Sequence, residues 1–314
     1  MALAALALSM ATLPPAYGQT TTGATFGDVI QLTGGTPADI VLDELRHVLY
    51  LVENSTNQVL IFDYQAGQLV GSIGVGKSPI AGAISMDSNW LYVTSGATPL
   101  QTASGTPLLN IIDLTQNRVS QSVVLPSIPQ GVEVGNDGRA LVAMMGTGVV
   151  SGIPQGTLSV FDRTLSSGAQ LLPVTVPSLP TTPAPLPATT LTRPTKIFTG
   201  SLMRTPDGQF IVGVLTPTSS STYIFVYEVA SRSVLMNRTF ASTSTVLSMA
   251  PDGSRFMAGL AMFDINTLNI IAQQNIANAP FPMSNNFNTQ SQIGGSIFSA
   301  DGTTLYSAFN VAAT

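Results

Sequence analysis

The 314-residue chain has no cysteine, so it can hold neither a disulfide framework nor a thiolate metal site, and its redox compartment is unmarked. One histidine, His47, argues against histidine-based chemistry and reads as a hairpin surface residue. Charge is sparse: 9% of residues are charged, against about a quarter in ordinary soluble domains. The surface must therefore be wetted mainly by Ser, Thr, Asn, Gln and backbone, a pattern that suits an extracytoplasmic protein. The 11 Lys and Arg are scattered singly in a chain of net charge −5, which leaves no electrostatic footprint for nucleic acid or anionic lipid. No Gly-x-Ser-x-Gly elbow, phosphate-cradling glycine loop or His-x-x-x-His pair is present, and no apolar run is long enough to span a bilayer. What the chain does have is 44% hydrophobic residues and a mean hydropathy of +0.34, enough to bury a large core.

The N-terminus carries a short apolar run, Ala2 to Ala11, then Pro14 and Pro15, then Ala16-Tyr17-Gly18 before Gln19. Small residues at Ala16 and Gly18 fit the −3 and −1 positions of a signal-peptidase site, so residues 1–18 are expected to be a signal peptide. No Lys or Arg precedes the run, so either the true start lies upstream or the peptide is atypical.

Internal repetition dominates the rest, 19–314. A Pro or Gly opens an apolar segment, an Asp-centred turn follows, then an apolar strand, a strand ending in an acid, and a last alternating strand. The turns fall at Asp43, Asp87, Asp137, Asp207, Asp252 and Asp301, with Gly138, Gly208, Gly253 and Gly302 completing four of them. Asp-Gly between apolar runs is a strong hairpin signal, because glycine accepts positive φ and Asp closes the turn with its side chain. The acids Asp63, Asp113, Asp162, Glu228 and Asp264 recur at one place, each before a polar turn, and are read as acceptors that fix the outer hairpin. Spacings of 44, 50, 70, 45 and 49 residues between turns match four short strands per unit. A unit of that size cannot cover both its faces, so neighbours must stack around an axis. The expected fold is all-β: a β-propeller of four-stranded antiparallel blades, five full and a partial sixth.

Leu91-Tyr92-Val93-Thr94 closely resembles the motif of YVTN propeller repeats, and Leu49 to Asn54 and Leu305 to Ala308 are weaker copies. The resemblance covers residues 26 to 314. It implies a fold, often seven-bladed, found in secreted or cell-surface proteins, and it implies no reaction. Phe26 to Leu32 parallels Gln68 to Ile73 and is read as an outer strand completing the final blade. Only thirteen residues follow Asp301, so the chain is read as truncated at its C-terminus. A Pro- and Thr-rich insert over about 174–200 separates blades three and four; it is either a binding loop or a tolerated surface insertion, and the second reading is preferred.

Side chains converge in a propeller at the axial channel mouth, where the candidates are Asp39, Glu133, Ser201 and Arg204, with His47 if its hairpin bends inward. This set is thin for catalysis. The expected role is an exported binding or scaffold module, in the periplasm, at the cell surface or secreted, for a protein or carbohydrate partner or another domain of the parent chain. The chain is expected to be monomeric, with no cofactor and no metal. The rival is a lactonase-like hydrolase or a quinoprotein-type dehydrogenase with its site in the channel.

Overall fold

The computed structural model describes residues 37–97, 103–145, 148–150, 153–155, 158–174, 200–218, 221–240, 246–259, 261–273 and 293–309, with Leu32 and Gly35. The signal segment 1–18, the closing strand 26–32 apart from Leu32, and the insert apart from Val174 and Gly200 lie outside the described residues. Residues 34–314 form one compact unit, and among its described residues every regular element is a strand.

The first sheet runs β1 (Pro37–Asp43), β2 (Val48–Glu53), β3 (Gln58–Asp63) and β4 (Gln68–Gly74) in sequence order, all antiparallel. The second follows the same order with β5 (Pro79–Ile84), β6 (Trp90–Ala97), β7 (Ala103–Asp113) and β8 (Arg118–Val124). In the third, β9 (Pro129–Val134) and β10 (Ala140–Met144) continue into β13 (Leu158–Phe161) and β14 (Leu171–Pro173). Between β10 and β13 a small hairpin, β11 (Gly148–Val150) and β12 (Ile153–Gln155), pairs only with itself. The fourth comprises β15 (Gly200–Arg204), β16 (Phe210–Thr218), β17 (Ser221–Glu228) and β18 (Ser233–Phe240). The fifth comprises β19 (Leu247–Met249), β20 (Arg255–Ala258), β21 (Ala261–Asp264) and β22 (Ile270–Gln273), and a pair, β23 (Ile293–Phe298) and β24 (Leu305–Phe309), completes the series. Five full blades and part of a sixth are thus present.

Local chemistry explains the hairpins. Asp87, Asp137, Asp207, Asp252 and Asp301 each accept a hydrogen bond from the backbone N–H two residues on, at 3.0–3.1 Å. Gly138, Gly208, Gly253 and Gly302 then take φ of 67–75°, where a Cβ would be strained. Ser85, Thr205 and Ser299 tighten three of the turns, donating a hydroxyl to the Asp while accepting the N–H of Trp90, Phe210 and Thr304. Asp43 departs from the expected pattern. It ends β1, paired with Val48, where the second blade has Ser85, two residues ahead of the turn aspartate Asp87. There it is buried, accepts from Tyr50 and forms an ion pair with Arg46 at 2.8 Å. Sequence spacing alone could not separate these two places, because both put an acid beside the same hairpin. Four of the five outer acids behave as read: Asp63, Asp113, Asp162 and Asp264 each accept turn N–H groups.

The blades hold together through side chains packed between neighbouring sheets. Val41, Tyr50 and Val52 of the first meet Leu91, Val93 and Ile112 of the second. Tyr92 and Leu109 face the other way, onto Val134, Val142 and Phe161 of the third. This two-sidedness explains the Leu-Tyr-Val run: both faces of a central strand are interior, so alternation between apolar and polar residues disappears. Further clusters join the third sheet to the fourth, the fourth to the fifth, and the fifth to β23–β24. Each fully buried Leu, Val or Phe adds about 1.5–3 kcal/mol, so cohesion is spread round the ring and does not reside in one central core.

Candidate functional site

First strands gather at the axis: β1 lies against β5, β5 against β9, β9 against β15, β15 against β19 and β19 against β23. Where these strands run into the Asp turns, a cavity of about 840 Å³ opens. Half of its wall is aliphatic or thioether, with Leu42 and Leu45 from the first blade, Ile84 and Met86 from the second, Met203 and Pro206 from the fourth, Met249 from the fifth and Ile297 from β23; acids, hydroxyls and a guanidinium make up the rest, Asp43, Glu44, Ser88 and Arg204 among them. At the rim Leu42, Leu45, Met86 and Ile297 are 49%, 71%, 45% and 67% exposed.

Among the described residues, Arg204 is the only cation in the wall. It occupies the last position of its first strand, a column otherwise filled by Leu42, Ile84, Val134, Met249 and Phe298. Three acceptors hold its Nη1: Glu133 Oε1 at 3.0 Å, the Ile84 carbonyl at 2.5 Å and the Val134 carbonyl at 3.4 Å. The second carboxylate oxygen of Glu133 accepts the Arg204 N–H at 3.3 Å. One side chain therefore ties the second, third and fourth blades together at the axis. Burial pushes the Glu133 carboxyl up, and the neighbouring guanidinium opposes that rise.

Asp39 performs a similar role between the first two blades, accepting from Ile40 N–H and Gly82 N–H, each at 2.9 Å. The residue is half-buried. Burial raises its pKa to about 6, the two N–H groups oppose the shift, and the charge on Glu133 adds to it. Because the folded pKa lies above the ordinary aspartate value, the native state keeps a proton that the unfolded state releases, and stability falls as pH rises from about 4 to 6. Asp39→Asn is expected to shrink the difference in unfolding free energy between acidic and neutral pH by on the order of 2 kcal/mol. Urea titrations across that range would expose the error if the variant kept the wild-type slope.

Of the four channel-mouth residues, the structure joins Glu133 and Arg204 directly and brings Asp39 within electrostatic reach of Glu133. Ser201 lies on β15 and forms no hydrogen bond to those three among the described residues. His47 sits in the first hairpin at φ 58° and bonds the Tyr64 hydroxyl through Nδ1 at 3.1 Å, directed at the outer hairpin and away from the axis. Among the described residues, no three of His, Asp and Glu converge as a metal-binding group. The apolar wall was missed by a reading that looked only for reactive groups. The signal was available, since stacking the six first strands on their turns shows an apolar column with Arg204 as its single break.

No protein-family model matches the chain, and no curated protein matches it in sequence. Solved structures do match in shape. Hydrazine synthase of Kuenenia stuttgartiensis is similar over 91% of this chain and 77% of its own, at 17% identity and a TM-score of 0.55. The β-propeller domain of Cps50 (Swd1) from Myceliophteria thermophila is similar over 89% and 82%, at 14% identity and a TM-score of 0.58. At such identities the likeness concerns architecture alone, and with the sheet order and the inter-sheet packing it makes this chain a β-propeller.

Proposed function

We propose that this propeller, built of YVTN-type repeats, is exported and serves as a binding or scaffold module for a protein or carbohydrate partner. The observation that carries the reading is the axial cavity, whose rim exposes Leu42, Leu45, Met86 and Ile297 beside Glu44 and whose acids Asp43 and Glu133 are held in ion pairs. Contiguous exposed apolar side chains at a concave mouth mark binding sites more often than bare surface. Asp43 is neutralised by Arg46 and Glu133 by Arg204, which leaves neither acid free to act as a nucleophile or base. Export is supported by the apolar segment and small-residue pair before Gln19, and by the low charge of the whole chain.

Two measurements on one preparation test both halves. Secreted from a bacterial host with its own N-terminus, the protein is expected outside the cytoplasm with Gln19 as its first residue. Peptides or glycans retained on arrays should lose at least about tenfold in affinity when Leu45→Asp and Met86→Asp are combined. Uncleaved protein in the cytoplasm would defeat the first half. Ligands held equally by both forms, or turnover of a lactone or alcohol at the axis, would defeat the second.

A further inference from the structure

Within the binding reading just given, the chemistry of the cavity wall chooses between the two partner classes. A sugar ring presents C–H faces that suit flat aromatic side chains and hydroxyls that suit amides and carboxylates. The described wall contains no aromatic ring and no amide. Four of its five hydroxyls are already engaged, Ser85 and Thr205 with their turn aspartates and Ser248 with Ser296, and Ser88 is the exception. What remains free is mostly aliphatic and thioether surface, with the Glu44 carboxylate and the Ser88 hydroxyl beside it. Met86, Met203 and Met249 contribute unbranched, polarizable side chains that re-pack around varied apolar shapes, a property of surfaces that bind peptide segments. The volume of about 840 Å³ has room for more than one side chain.

Charge sets what flanks those side chains. Glu44 is exposed at the rim, and among the described residues it forms no ion pair. At the axis Glu133 pairs with Arg204, and its charge reaches Asp39. Around the mouth the acids Asp39, Asp43, Glu44 and Glu133 outnumber the cations Arg46 and Arg204, so the local field is negative and favours the approach of cations. We infer that the axial cavity receives an apolar segment of a partner protein whose flanking residues are Lys or Arg. The apolar side chains enter between Leu42, Met86 and Ile297, and a flanking cation pairs with Glu44.

Fluorescence anisotropy of the full chain tests this with two labelled synthetic peptides, each holding a leucine–methionine–leucine core between pairs of lysines or pairs of glutamates. The lysine peptide is expected to bind, and Glu44→Lys should weaken it roughly fivefold while strengthening the glutamate peptide. Leu45→Asp, at a position 71% exposed and so remote from folding, should weaken the lysine peptide roughly tenfold. Equal binding of both peptides, or none up to ~1 mM, would overturn the assignment. A glycan held on the arrays and lost in the Leu45→Asp, Met86→Asp variant would overturn it too, while leaving the wider binding reading intact.

Discussion

Arg204→Met is expected to lower the unfolding free energy by about 3 kcal/mol, although methionine suits the apolar column that Arg204 interrupts. The loss arises from what stays behind. Glu133 keeps its buried position without a counter-ion, and the Ile84 and Val134 carbonyls lose a donor. The ion pair itself contributes less than this figure, because both groups surrendered hydration to form it. Adding Glu133→Gln should therefore recover a good part of the loss, since an amide is far cheaper to bury than an unpaired carboxylate. Urea unfolding of the single and double variants gives a clear decision. A single variant within about 0.5 kcal/mol of wild type, or a double variant no more stable than the single, would show that the three-blade tie at the axis does not matter.

Gly96→Ala should be at least as damaging, by about 3–5 kcal/mol. Gly96 interrupts β6 where the register with β7 shifts between Ser95 and Ala97, and it adopts φ 99°. Its N–H donates to the Lys77 carbonyl at 2.7 Å and the Ser78 carbonyl at 3.1 Å, fastening the chain that crosses from the first blade into the second. A Cβ built there would lie 2.6 Å from the Thr106 carbonyl oxygen and 2.7 Å from the Pro107 Cα. Both obstacles are backbone, so no rotamer change relieves them, and the backbone angle would be strained even in open space. Thermal unfolding should show a drop of many degrees. An alanine variant that melts near wild type would mean that β7 yields readily at Pro107.

The repeat was legible because its causes are local. An Asp-Gly turn needs only its own side chain and a residue free to take positive φ, so five of the six turns lie where the spacing put them, and strands began where apolar runs began. Asp43 was misplaced by two residues because an acid at the end of a strand and an acid in the turn look alike in one dimension. The β11–β12 hairpin escaped notice for a related reason. Its strands are three residues each, broken by Gly and Pro, and only their mutual pairing makes them strands.

The candidate site was legible as a list of residues and silent as an arrangement. Asp39, Glu133 and Arg204 were named because first strands of a propeller face its axis. Whether they touch depends on which way each strand is turned and how far each blade is rotated from the next. Glu133 and Arg204 are 71 positions apart, and Asp39 reaches Gly82 across 43. By itself, then, the sequence determined the turns, the strand order within each blade and the number of blades in view, since these follow from backbone preference and period-two patterning over a few residues. Only the tertiary structure decided that Arg204 is bound to Glu133, that Asp39 holds its proton to about pH 6 and that an apolar cavity sits above them. Desolvation and ion pairing depend on everything within a few ångströms, and at the axis those neighbours come from six different sheets.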